Sequence, residues 1–214
     1  MEHIYVVLEK SHTLLGRVAR LLDPYEYTHI TVCLDDEFRY FYSFSRYRHY
    51  GPFCSGFMRE TMDCYAYGDY NNVKLKVFEV PVTKENKERI KRFIATVYHD
   101  RREYYFNLYS ALTMNIFHGF RIYKAYNCMS FVGKILEMTG AVYMEREYYK
   151  YSIEELEELM APYEKEENYF SPERIENVHY MDRVGLLYNI GSFIKLNGTL
   201  ISRLLTKKPY EEEF

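Results

Sequence analysis

The chain has 214 residues, of which 48% are hydrophobic and 28% are charged, and its formal net charge is −3. This composition is typical of one soluble globular domain, and the lack of a concentrated cationic face excludes nucleic acid as an expected partner. No apolar run approaches the roughly 20 residues that a bilayer span needs, and residues 1–10 lack the features of a secretory signal. We therefore expect a cytoplasmic protein without a transmembrane segment.

Four cysteines are present, Cys33, Cys54, Cys64 and Cys128. None of them has C-x-x-C or zinc-like spacing, so no metal or other cofactor is predicted. Their separation allows a Cys54–Cys64 disulfide, but a reducing compartment disfavours it. Each cysteine is therefore interpreted singly, as a buried small side chain or as a reactive thiol.

Tyrosine is unusually frequent, with 25 copies and no tryptophan, and it is concentrated in residues 40–70, 98–109 and 143–151. One interpretation is a wet aromatic surface that holds a sugar or a peptide, because tyrosine offers an apolar face and a polar tip. The other is that tyrosine packs where another aromatic residue would serve equally well, and we favour this second interpretation.

The chain begins with a predicted buried strand over residues 4–8. Ser11 can then cap a helix over about residues 12–22, which carries its leucines on one face. The Asp23-Pro24 pair ends that helix, because proline lacks an N–H and forces the preceding residue out of the helical region.

A predicted hairpin follows and carries the first candidate site residue, His29. Residues 28–34 alternate, so that His29, Thr31 and Cys33 share one face of a strand. After a turn, residues 38–44 are expected to return as the second strand.

The middle of the chain mixes irregular and regular patterns. Residues 45–72 are rich in Tyr, Gly and Arg without clear periodicity, which favours a long, partly ordered excursion of the kind that often borders a site. Residues 73–80 alternate as a strand, and Thr83 can cap the next helix, whose buried stripe is Ile90, Phe93, Ile94 and Val97. A second, aromatic-rich helix is expected over about residues 103–117.

Later segments contain two helices with clear ends. One begins at Cys128, has an apolar stripe, and ends before Gly140, a typical helix stop. A capping box opens the other at Ser152, and we expect it to run to Met160. The chain from about residue 163 is a C-terminal extension, in which residues 184–205 fit either strands or a helix.

Cys128 and His29 are the candidate catalytic residues. A cysteine in the first turn of a helix meets unpaired backbone N–H groups and the helix dipole, which favour a thiolate and can hold an oxyanion. His29 has small neighbours on its strand face, which leave room for an imidazole to act as a base. Taken alone, each residue also fits a structural role: a buried cysteine starting a core helix, and a half-buried strand histidine.

The order of four short motifs resembles a known family. Gly16-Arg17 comes first, then the Thr-His-Ile strand at residues 28–32, then the Tyr-Ser-Phe-Ser-Arg run at residues 42–46, and last the Asn-Cys-Met-Ser-Phe-Val run at residues 127–132. This order is similar to the permuted branch of the NlpC-type cysteine peptidase superfamily, which includes acyltransferases similar to lecithin–retinol acyltransferase. In that branch a histidine strand precedes a helix that starts with a Cys-Ser-x-Phe-Val-like sequence. Here Met129 separates the cysteine from the serine.

The resemblance spans about residues 3–160 and implies a single α+β domain with a permuted papain-like fold, in which an antiparallel sheet packs against helices and the nucleophile helix comes late. It implies Cys128 as nucleophile, His29 as base and a third residue on the strand after the histidine. That third residue is expected to be Tyr42, or Ser43 if the hairpin register slips by one. Arg46 is a candidate clamp for a carboxylate or phosphate at the cleft edge, or a structural arginine.

Three functions follow from this interpretation. The first is a hydrolase that cleaves amide bonds through an acyl-enzyme, on small peptides such as cell-wall-derived ones or on other amidated or acylated substrates. The second is an acyltransferase or lipid hydrolase with the same thioester chemistry and some contact with a membrane surface. The third is a catalytically inert binding module. The sequence leaves the oligomeric state open.

Overall fold

The computed structural model describes residues 1–10 and 25–206. Its strands are β1 (Glu2–Glu9), β2 (His29–Cys33), β3 (Phe41–Arg46), β4 (Ser55–Glu60), β5 (Val73–Val82), β6 (Tyr105–Phe106), β7 (Ala125–Tyr126) and β8 (Glu164–Phe170). All eight join in one sheet, in the order β7-β6-β4-β3-β2-β1-β5-β8.

The helices are α1 (Met62–Tyr65), α2 (Lys84–His99), α3 (Leu108–Leu112), α4 (Met114–Phe117), α5 (Cys128–Thr139), α6 (Ile153–Met160) and α7 (Leu186–Thr206). Two short 3-10 turns lie at Tyr148–Lys150 and Ala161–Tyr163. The predicted α+β class is confirmed. The sheet is mixed and not purely antiparallel, because β6 and β7 pair in parallel while the other pairs of strands are antiparallel.

Local capping determines three of the helices, and the Thr83 cap, the Ser152 capping box and the Gly140 stop agree with the prediction. Thr83 accepts a hydrogen bond from the Asn86 N–H at the start of α2, and Ser152 forms a capping box with Glu155 at the start of α6. Helix α5 has a capping box between Asn127 and Ser130, and it ends at Gly140, whose φ of 69° is the left-handed conformation that glycine adopts without strain. The starts of α5 and α6 are therefore encoded within four residues of sequence.

The main core lies between one face of the sheet and helices α2 and α5. The strands contribute alternate residues, and the helices contribute their apolar stripes; the fully buried members include Val6, Ile30, Val32, Phe44, Phe93, Phe131, Ile135 and Leu136. A smaller core covers the other face of the sheet and includes Cys33, Phe41 and Tyr65. Because α5 packs on β2 and β3, its first residue lies close to the start of β2.

Residues 45–72, expected as a partly ordered excursion, contain β4 and α1 between irregular stretches, and β4 pairs with β3 over six residue pairs. The expectation for residues 103–117 is wrong. The helix expected over residues 103–117 is instead strand β6 followed by α3 and α4. Residues 105–106 join the sheet, Asn107 caps α3, and Thr113 separates the two helices.

The described part of the C-terminal extension contains one strand and one long helix. Strand β8 pairs with β5 and forms one edge of the sheet, and the segment left open between strands and a helix is helix α7. Only a narrow stripe of α7, Leu196 and Leu200, is buried against the body. The predicted helix over residues 12–22, with Ser11, Gly16-Arg17 and Asp23-Pro24, lies outside the described residues.

Candidate active site

Cys128 is the first residue of α5. The side chain of Asn127 accepts a hydrogen bond from the Ser130 N–H at 2.8 Å, so the cap satisfies one of the free donors of the first turn. The N–H groups of Cys128 and Met129 have no acceptor within the helix, because the helical ladder starts only four residues later. Cys128 is 9% exposed. A nearly buried thiol therefore lies beside two backbone donors and the positive end of a 12-residue helix.

His29 is the first residue of β2, and its side chain is 14% exposed. It lies beside Cys128, whose interaction with the imidazole contributes to the raised pKa of His29, and both residues line one cavity. The packing of α5 on β2 thus brings together two residues that are 99 positions apart in sequence. The predicted pair of nucleophile and base is in contact.

Glu60, at the end of β4, is the carboxylate partner of the histidine. Its Oε2 atom lies 3.0 Å from His29 Nε2 and accepts hydrogen bonds from Ser43 Oγ at 2.9 Å and Tyr65 Oη at 3.1 Å. Its Oε1 atom accepts a hydrogen bond from Ser45 Oγ at 2.5 Å. The Glu60 side chain is only 3% exposed, so these four neighbours replace the water that a carboxylate needs.

His29 and Glu60 each shift the pKa of the other toward the ionised form. Burial acts to lower the pKa of His29, but the Glu60 charge and the interactions with Cys128 and Glu60 outweigh burial and hold that pKa well above 6.5. Burial acts to raise the pKa of Glu60, yet the His29 charge and the hydrogen bonds from His29, Ser45 and Ser43 keep that pKa below 4.5. The pair is therefore an imidazolium and a carboxylate at neutral pH.

The expectation that Tyr42 orients the histidine is wrong. The hairpin pairs Val32 with Tyr42, so the Tyr42 side chain is on the face opposite His29 and stacks on Phe57 at a ring-centroid distance of 6.3 Å. The alternative, Ser43, is on the histidine face, and its Oγ lies 3.2 Å from His29 Nε2. Strand alternation decides between the two residues.

Glu60, Ser45 and Tyr65 were not among the predicted site residues. Glu60 is absent from the predicted site because the sequence pattern does not predict a strand over residues 55–60. The signal that would have found it is strand alternation, because pairing β4 with β3 places Glu60 opposite Phe41, on the same face as Ser43. Tyr65 follows on the short helix α1, which turns its hydroxyl back toward Glu60.

The site opens into a cavity of about 370 Å³, at the small end of ligand pockets. Cys128, His29 and Glu60 line it together with Arg46, the candidate clamp. Much of the remaining wall is apolar and comes from β6, α3, α4, α5 and α6, including Phe106, Leu108, Leu112, Met114, Met129 and Ile153. The cavity thus combines one reactive, charged group of residues with a mainly apolar lining.

The other three cysteines are free thiols outside the Cys128–His29 contact. Burial raises the pKa of Cys33 to about 12 and that of Cys64 to about 12. Within residues 1–10 and 25–206, no group of three or more His, Cys, Asp or Glu side chains could hold a metal ion. Across the same residues, no helix is both long and apolar enough to span a bilayer.

Many tyrosines are structural. Tyr104, Tyr126 and Tyr148 are buried and stack in the main core, which agrees with the packing interpretation for these positions. Tyr25 and Tyr27 line the cavity, so some tyrosines also border the site.

Comparison of the chain with protein-family models, with curated proteins and with solved structures finds no match.

Proposed function

We propose that the protein is a cysteine hydrolase that cleaves amide bonds, with Cys128 as nucleophile, His29 as acid and base, and Glu60 as the residue that orients and charges His29. One observation carries the proposal: a cysteine at a helix N-terminus, a histidine and a buried carboxylate are in sequential contact at the wall of a cavity. This is the relay of nucleophile, base and orienting group that acyl transfer requires.

The geometry supplies each step. The Cys128 thiolate attacks the carbonyl carbon, and the N–H groups of Cys128 and Met129 stabilise the oxyanion. Glu60 and Ser43 hold Nε2 of His29, which leaves Nδ1 to give its proton to the departing amine. Water, activated by the now neutral His29, then cleaves the thioester and releases the acid. The permuted papain-like fold and the NlpC-type family remain part of this proposal, supported by the motif order.

The reactivity of Cys128 tests the proposal. We would measure the rate of iodoacetamide alkylation from pH 5 to 9 and identify the labelled cysteines by mass spectrometry, in the wild type, His29→Ala and Glu60→Gln. Faster alkylation of Cys128 than of Cys33 and Cys64 is expected in the wild type, because Cys128 lies at a helix N-terminus beside the His29 imidazolium. Both variants should slow the alkylation of Cys128, because each removes or weakens the positive charge beside the thiol.

Cys33 and Cys64 provide internal controls in the same sample. Their burial and raised pKa values predict slow labelling at every pH tested. If Cys128 reacts as slowly as these two residues, and His29→Ala leaves its rate unchanged, the hydrolase proposal is wrong. The protein would then be an inert binding module.

A second candidate function, an acyltransferase or lipid hydrolase, is favoured by the outward face of α7. On this helix Leu187 is 85% exposed, Ile194 is 64% exposed and Leu205 is 79% exposed. The helix has no acidic residue, and its two charged residues are Lys195 and Arg203. An exposed apolar stripe with a lysine beside it suits the boundary of a lipid bilayer, while Arg203 donates to the backbone carbonyls of Glu103, Tyr123 and Lys124. This candidate keeps the Cys128 chemistry and changes only the acceptor and the source of the substrate.

A further inference from the structure

Arg46 stands beside the reactive group without an acidic partner. It ends β3 opposite Ser55, and its side chain lines the cavity. Its guanidinium donates to the backbone carbonyl of His49 at 3.0 Å. Within residues 1–10 and 25–206, no carboxylate pairs with it. Arg46 is therefore a half-buried cation with donors to spare in a ligand cavity.

The carboxylates that line the same cavity, Glu9, Glu60 and Glu154, do not pair with Arg46. Burial lowers the pKa of His49, and the Arg46 charge lowers it further, so His49 is neutral at neutral pH and adds no charge. The Ser55 hydroxyl lines the cavity and is buried without a hydrogen-bond partner. A guanidinium that lacks a carboxylate partner is suited to a monoanion such as a carboxylate, which it can bind through two parallel hydrogen bonds.

The rest of the lining selects a second chemical feature. Met129 follows the nucleophile, Met114 and Leu112 project from the α3–α4 segment, and Ile153 starts α6. These four apolar side chains offer a hydrocarbon group apolar surface to pack against, although Asn115, Ser152 and Glu154 line the cavity beside them. The cavity thus has a cationic place, an apolar wall and a nucleophile.

We propose that the substrate is an N-acyl amino acid, whose carboxylate binds Arg46 and whose hydrocarbon chain lies against the wall formed by Leu112, Met114, Met129 and Ile153. The amide that joins these two parts is then placed at Cys128. This substrate class rests on the proposed hydrolase function. It specifies that function further: the group on the amine side of the scissile amide carries a negative charge, and the group on the acyl side is apolar.

The reaction is balanced with water as the only co-reactant. The Cys128 sulfur forms a bond to the acyl carbon while the C–N bond breaks, and the amino acid leaves with a proton from His29. Water then adds its oxygen to the acyl carbon, the C–S bond breaks, and a fatty acid leaves. Arg46 holds the leaving amino acid by its carboxylate, so it acts on binding and not on the reacting atoms.

Binding to a Cys128→Ala variant tests the substrate class without catalysis. We would use calorimetry with N-decanoylglycine, its neutral amide N-decanoylglycinamide, and N-decanoylethanolamine phosphate, each below its micelle concentration. We expect the carboxylate ligand to bind at least tenfold more tightly than the amide. Adding Arg46→Gln should remove that preference and leave the affinity for the amide unchanged, while Arg46→Lys should retain part of it.

Arg48→Gln is the matched control. Arg48 lies two residues away and contacts His179 and Asp182, outside the cavity. Replacing it should leave the preference intact. The proposed substrate class is wrong if the carboxylate and amide ligands bind equally, or if Arg46→Gln weakens the binding of both equally. If the phosphate ligand binds more tightly than the carboxylate ligand, the group that Arg46 recognises is not a carboxylate. Because Cys128 alkylation is measured separately, a reactive Cys128 without this preference refutes the substrate class alone.

Discussion

Replacing Glu60 by glutamine is the most informative single change in this protein. Glutamine keeps the size of the side chain but removes the negative charge that lies 3.0 Å from His29 Nε2. It also places an amide NH2 where the carboxylate now accepts hydrogen bonds from Ser43, Ser45 and Tyr65. The change therefore separates the charge of the carboxylate from its volume.

The expected cost is large because Glu60 is nearly buried. Removing one partner of a buried ion pair costs about 3–5 kcal/mol, and each hydrogen bond to a charged group contributes about 1.5–3 kcal/mol before any compensation. His29 can reduce the loss by giving up its proton, since burial alone lowers its pKa. We expect Glu60→Gln to lower the free energy of unfolding by about 3 kcal/mol near pH 6.

The loss should depend on pH in two directions. The raised pKa of His29 means that its contribution to stability is complete below about pH 6.5 and is lost as the pH rises through the higher folded value. The lowered pKa of Glu60 means that its contribution is present above about pH 4.5 and is lost as the pH falls through the folded value. The difference between wild type and variant should thus be greatest between about pH 4.5 and 6.5.

Urea denaturation from pH 3 to 9 measures this difference. Glu155→Gln is a suitable control, because Glu155 pairs with Arg146 and has no titrating histidine partner. Its difference from wild type should appear as the pH rises and then stay constant to pH 9. If the Glu60→Gln difference is also constant up to pH 9, the ionised His29–Glu60 pair is refuted.

Three further predictions use matched variants. Ser43→Ala should slow Cys128 alkylation several-fold at pH 6.5, and Tyr42→Phe should leave it unchanged, because only Ser43 contacts His29; equal effects of the two would contradict the observed hairpin register. Gly133→Ala should lower the free energy of unfolding by about 1–3 kcal/mol, because a new Cβ would meet the Tyr148 carbonyl. Gly191→Ala in α7, where the added Cβ meets open space, should instead raise it by about 0.5–1 kcal/mol in the same urea titration. A double variant with Leu187→Glu and Ile194→Glu should weaken cosedimentation with anionic phospholipid vesicles at least tenfold without altering Cys128 alkylation. If the double variant still binds the vesicles, α7 is not the lipid contact.

The sequence by itself determined the elements whose signals are local. Asn127 with Ser130, Ser152 with Glu155, and the apolar stripes between them define α5 and α6 because a helix bonds residues four apart and its caps lie within the same turn. The same locality identified Cys128 as a first-turn cysteine, and strand alternation placed His29 on the face of Thr31 and Cys33. These patterns made Cys128 and His29 candidates, and the resemblance of the motif order to a known family joined them as a pair.

The tertiary structure alone decided which residues complete the site. Glu60 becomes the partner of His29 only through the pairing of β4 with β3, and the choice of Ser43 over Tyr42 depends on the register of β3 against β2. Sheet pairing joins residues far apart in sequence, and a slip of one residue exchanges the two faces, so no local pattern encodes it. Helix α7 could not be assigned from sequence either. An amphipathic helix normally buries its apolar side, but in α7 only Leu196 and Leu200 are buried and most other apolar side chains face outward.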